Sequence, residues 1–80
     1  MPTVLRISGF RFQIFTDDHA PAHAHVFKAG KQVIISLGNE RTRVSIRENK
    51  GMKTADIVQA AEIAANHQTY LLERWREIHG

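Results

Sequence analysis

The spacing of apolar side chains changes once along this chain, and that change limits the fold more than any other feature. Up to about residue 47 they recur at every second position in short runs, the period of a strand with one buried face. From Thr54 onward they recur at every third or fourth position, the period of a helix. A chain patterned in this way builds a sheet first and then covers one face of it.

The strand half divides at its turn residues. Thr3–Ile7 and Phe10–Phe15 flank Ser8-Gly9, a two-residue connection whose glycine tolerates positive φ, which predicts a β-hairpin. Thr16–Ala22 is rich in polar turn formers and contains Pro21, so it is expected to be a loop. A second hairpin is expected from His23–Lys28, the Ala29-Gly30 turn and Gln32–Leu37. Gly38-Asn39-Glu40 breaks the pattern, and Thr42–Arg47 alternates strictly, as a fifth strand would, before Glu48-Asn49-Lys50-Gly51 stops it. In the helical half, Ile57, Ala61, Ala64, Gln68, Leu71, Trp75 and Ile78 form one stripe, widened by Val58, Ala65 and Leu72. The stripe predicts a single helix of about seven turns, with Thr54 as N-cap, Asp56 in the first turn and Gly80 at the end. The expected fold is therefore one α+β domain over residues 1–80. An antiparallel sheet of four to five strands, starting with two hairpins and occupying about residues 3–47, packs against one long C-terminal helix over about 54–79.

Size and charge narrow the partners. A domain of 80 residues buries only about 60% of the surface its unfolded chain exposes, and with no cysteine it has neither a disulfide nor a thiolate metal site as a staple. Burial against a partner protein or a second copy of the chain is an attractive supplement. No apolar run approaches the roughly 20 residues of a membrane span, and Met1–Arg6 does not have the form of a signal peptide, so the expected location is cytoplasmic. Residues 1–50 hold eight of the 11 cations against four acids, whereas residues 51–80 hold three against four. The sheet half thus carries the basic character that suits an RNA or an acidic protein.

Alternation assigns faces. With Phe10, Phe12, Ile14, Ala24, Val26, Val33, Ile35, Leu37, Val44 and Ile46 turned toward the helix, the outer face collects Arg11, Gln13, Phe15, His23, His25, Phe27, Gln32, Ile34, Arg43 and Arg47. Phe15 and Phe27 interleaved with Arg11, Arg43 and Arg47 match the stacking-plus-cation logic of single-stranded RNA binding, but with no ribonucleoprotein-type aromatic motif the plainer reading is a solvated face with a docking patch for a partner or a second copy.

The chemical signal is Asp17-Asp18-His19-Ala20-Pro21-Ala22-His23-Ala24-His25, which places three of the five histidines within seven residues. On a strand, His23 and His25 project from the same face about 7 Å apart at Cα. His19 and Asp18 are close enough in sequence to complete a set with them. Three uses stay open. The group His19, His23, His25 and Asp18 suits a transition metal such as zinc. The histidines His19, His23 and His25 suit general acid–base catalysis, for instance RNA cleavage without a metal. The third use is structural, with Asp18 capping a turn and the imidazoles bonding to backbone. Trp75, with Leu71, Leu72 and Ile78, is assigned to the core, and His67 and His79 receive no role.

Three segments carry a family resemblance: Met1–Phe12, Asp18–Val26, and Leu71-Leu72-Glu73-Arg74-Trp75. Together they resemble the bacterial family known as domain of unknown function 4160. The family motif usually has two adjacent prolines before the second histidine; here the second is Ala22, which predicts a less rigid loop. The resemblance implies a short bacterial or archaeal protein, often encoded beside a small protein of the domain of unknown function 2442 family, in pairs that look like toxin–antitoxin modules. It implies no catalytic assignment. The functional expectation is a component of such a two-gene module that binds RNA or its cognate partner protein. The alternative is a histidine-dependent ribonuclease or a metal-dependent enzyme.

Overall fold

In the structure, a computed structural model that describes residues 3–80, the first half of the chain is a five-stranded antiparallel meander. Its strands are β1 (Thr3–Ile7), β2 (Phe10–Gln13), β3 (His23–Lys28), β4 (Lys31–Ser36) and β5 (Ser45–Lys50), each hydrogen-bonded to its neighbour in chain order. The two expected hairpins are present. Ser8 and Gly9 take φ of 52° and 82°, and Ala29 and Gly30 take 50° and 78°, the doubly positive turns whose twist suits a two-residue hairpin.

The fifth strand lies later than strict alternation suggests. Asn39 and Thr42 close a tight turn by bonding to each other's backbone, which uses up the start of the expected strand. Pairing with β4 then begins at Ser45, and the register shifts between Ile34 and Ile35. All six residues of β5 are exposed, including Ile46, which alternation places inside. Val44 is half-buried against the core as expected.

The inner face is built in rows. Phe12, Val26 and Val33 pair directly across β2, β3 and β4, as do Ala24 and Ile35 across β3 and β4, and all five are fully buried. Over these rows lie Ala60, Ile63, Ala64, Leu71 and Leu72. Each row removes β-branched and aromatic surface from water, the dominant stabilising term in a domain with few other resources.

The covering layer is two helices rather than one: α1 (Thr54–Asn66) and α2 (Gln68–His79), separated at His67. The break has an identifiable cause on each side. The His67 ring Nδ1–H donates to the Ile63 carbonyl at 2.9 Å, and its backbone N–H is shared between the Ile63 and Ala64 carbonyls. One residue later, the Gln68 amide donates to the carbonyls of Leu37, Asn39 and Thr42 at 2.8, 3.1 and 2.8 Å, anchoring the start of α2 to the β4–β5 connection. Each helix then sets its own phase. The buried face of α1 runs through Ala60, Ile63 and Ala64, so that Val58 and Ala65, which a continuous helix places in the stripe, are exposed. The N-cap is Lys53, not Thr54, without a side-chain cap; Asp56 occupies the first turn as expected and pairs with Lys28 of β3 at 3.2 Å. At the other end, the Gly80 N–H bonds the Arg76 carbonyl.

Candidate functional site

The β2–β3 connection folds back toward β3 because Asp18 closes its first turn in both directions. Its backbone N–H donates to the Phe15 carbonyl at 3.1 Å, and its Oδ2 accepts the Phe15 N–H at 3.0 Å. That leaves Oδ1 turned toward β3. His25 Nε2 lies 3.2 Å from Oδ1 and His23 Nε2 lies 3.5 Å from it. The turn cap expected of Asp18 and its meeting with the histidines are thus one arrangement, not alternatives.

Each imidazole is held from its far side. The His23 Nδ1–H donates to the Pro21 carbonyl at 2.9 Å, and Gln32 Nε2 donates to His25 Nδ1 at 2.9 Å. The rings of Phe15, His25, His23, Trp75 and His79 follow one another with successive centroid separations of 4.8, 5.3, 5.3 and 3.9 Å. The side chains of His23, His25 and Asp18 retain only 8%, 15% and 12% of their exposure, so their mutual interactions act largely away from water. One donor atom from each of the three lies within 4.8 Å of the others. His19, beside Asp18 in sequence, is exposed and stands outside this group.

Burial pushes the Asp18 carboxyl up, but the Phe15 N–H, the His25 hydrogen bond and the charges of His25 and His23 together outweigh it, and the group ends below the usual aspartate range. A depressed folded-state pKa means that the folded chain favours ionisation more than the unfolded chain does. Its contribution to stability is complete above about pH 4, the ordinary aspartate value, and is lost as pH falls through the lowered one. Urea midpoints measured down this acid window should fall more steeply for the native chain than for Asp18→Asn; equal slopes would remove Asp18 from the acid response.

The remaining candidates divide into separate places. Arg11 and Phe27 are direct cross-strand partners, with the guanidinium carbon 5.1 Å from the ring centroid. They line a cavity of about 380 Å³ at the end of the sheet where the two hairpin turns lie side by side, together with Arg6 and Lys28. Arg11 Nε is buried there with no hydrogen-bond partner among the described residues. Phe15 instead packs edge-on to His25. Arg43 and Arg47 are exposed on the β5 side, with two strands, β3 and β4, between β5 and β2 in the sheet order. The outer face is also drier than alternation alone suggests: Ile34 is 7% exposed, and Phe15 and Phe27 are half-buried.

Comparison with known families resolves what the motif belongs to. The family described as Domain of unknown function (DUF4160) matches residues 9–76. The chain belongs to the DUF4160 family. The matched stretch takes in all of the Asp18–His25 motif and both helices as far as Arg76, so the DUF4160 match covers the site and the layer that supports it. No curated protein matches the chain, and neither does any solved structure. No helix among the described residues is long and apolar enough to cross a membrane.

Two members of the DUF4160 site escape a reading by pattern. Alternation puts Gln32 on the outer face without giving it a task; its pairing opposite Phe27, two residues from His25, is the one signal for its contact with that imidazole. Helical periodicity assigns Trp75 wholly to the core. Trp75 is half-buried at the core's edge and also packs on His23, and periodicity within a helix carries no information about that second contact.

Proposed function

We propose that this DUF4160 protein is the RNA-binding component of a two-gene, toxin–antitoxin-like module, and that it takes a phosphate of single-stranded RNA at the Arg11–Phe27 end of the sheet. The observation that carries the proposal is the buried Arg11 Nε without a partner, on a guanidinium laid over Phe27 in a cavity shared with Arg6. A buried guanidinium donor left unpaired costs stability, and a phosphate oxygen would supply the missing acceptor while Phe27 offers a face for an adjacent base. Lys28 contributes less charge, because Asp56 already neutralises it. The cation excess of the sheet half favours a polyanion over a neutral ligand.

Binding of a fluorescent single-stranded RNA, followed as salt is raised, tests this. Affinity should fall steeply with salt, and Arg11→Ala should weaken it and reduce the logarithmic slope by about one. Binding that ignores salt, or no binding at low salt, would sink the RNA proposal. A specific observation favours the cognate protein as the second reading: β5 is an edge strand exposed along its whole length, with Ile46 at 41% exposure, which suits a partner that adds a strand there. Expression with and without the neighbouring gene separates the roles, since growth arrest relieved by the partner marks a toxin.

A further inference from the structure

We infer that Asp18, His23 and His25 form a binding site for one divalent transition-metal ion of the zinc class. The inference is independent of RNA binding, because it concerns the motif at the start of β3 and not the hairpin-turn cavity.

The argument begins with which nitrogen of His23 carries the proton. The Pro21 carbonyl can only accept, so the 2.9 Å contact places a proton on Nδ1. In the neutral ring Nε2 is then a lone pair, and it faces Asp18 Oδ1 at 3.5 Å. Two acceptors facing each other in a nearly dry site need a positive charge between them. A proton on Nε2 is one way to supply it, and a metal ion is the other. A metal ion meets both lone pairs at once and leaves the imidazole neutral.

The surroundings have the form that metal-binding histidines require. A ligating imidazole usually donates its other N–H to a carbonyl or carboxylate, which fixes its tautomer and aims the free nitrogen. His23 has that arrangement already. His25 reaches it by a half-turn of the Gln32 amide, which replaces Nε2 by Oε1 opposite Nδ1 and frees Nε2 to ligate. Asp18 is held by the Phe15 N–H through Oδ2, so Oδ1 is positioned without being consumed.

Spacing and donor type identify the ion. Ligand atoms around a tetrahedral zinc stand about 3.3 Å apart for bonds of about 2.0–2.1 Å. The carboxylate oxygen lies 3.2 and 3.5 Å from the two imidazole nitrogens, close to that edge length, whereas the set as a whole spans up to 4.8 Å, so the two rings must draw together by about 1.5 Å to share one ion. Two imidazoles and one carboxylate are the donors of a borderline transition metal, whereas calcium and magnesium prefer oxygen alone. The three protein ligands leave a fourth position for water or an exogenous donor.

The test uses the whole 80-residue chain without a purification tag, dialysed against zinc and then against metal-free buffer. Atomic analysis should find close to one equivalent retained. Substituting cobalt should give the visible absorption of a tetrahedral site. His23→Ala should weaken affinity at least tenfold. Asp18→Asn, nearly the same shape and still able to accept the Phe15 N–H, should do the same while circular dichroism shows a folded chain. His19→Ala and His67→Ala should bind as the native chain does. No retained zinc and no cobalt spectrum in the native chain would overturn the inference, as would metal that survives both His23→Ala and Asp18→Asn or is lost equally with His19→Ala.

Discussion

Gly38→Ala should destabilise the protein by at least about 3 kcal/mol, an effect large for a surface-loop glycine because strain and collision act together. Gly38 has φ of +65°, where a side chain costs roughly 1–2 kcal/mol. An added Cβ would also stand 2.8 Å from the Arg43 carbonyl oxygen and closer still to that of Thr42. Both are backbone atoms, and the Thr42 carbonyl is also held by Gln68, so they cannot swing aside as the end of a flexible side chain would. Gly30→Ala isolates the two contributions. Gly30 has φ of +78° but nothing within 4 Å of an added methyl group, so its substitution should cost only about 1–2 kcal/mol. Chemical denaturation of the two variants decides the matter, and equal losses would mean that the close approach of Gly38 to Thr42 contributes nothing.

The other large effect is expected at Phe12, fully buried at the head of the row it forms with Val26 and Val33. Phe12→Ala should cost about 3–5 kcal/mol, from lost apolar transfer and from the cavity left between sheet and helices. Small domains have a total stability of roughly 5–15 kcal/mol, and one of this size sits toward the lower end, so the variant should be substantially unfolded under mild denaturant. Phe12→Leu, which keeps most of the volume, should retain the fold with a much smaller loss. A Phe12→Ala cost below about 1 kcal/mol would contradict the burial of this row.

What could be foreseen from the residues follows the range of the interactions involved. The hairpins at Ser8-Gly9 and Ala29-Gly30 depend on φ preferences of adjacent residues, and those are local. The projection of His23 and His25 to one side depends only on strand pleat. The helix break at His67 depends in part on Gln68 finding three carbonyls 26 to 31 residues earlier, and a helical period contains nothing about such competition. The start of β5 depends on how much chain the Asn39–Thr42 turn consumes before β4 is met again. At the site, Asp18 is legible because aspartate in a turn caps backbone donors. The departure of His19 from the group is not, because the direction of a loop side chain is set by a fold-back that leaves no periodic trace.

The order of strands in the meander bears on how the chain assembles. Since every sheet neighbour is also the next strand in sequence, each pairing closes a short loop, and the entropy of closure stays small at every step. A protein built this way has few distant contacts in its sheet, the topology associated with rapid folding. A contact of far longer range is made by the Tyr70 hydroxyl, which donates to the Val4 carbonyl at 2.7 Å across 66 residues of chain. On a ribosome the five strands are synthesised before α2 exists, so the inner face waits uncovered until the last third of the chain arrives. Completion of the helical layer is what covers the inner face and brings Tyr70 to Val4.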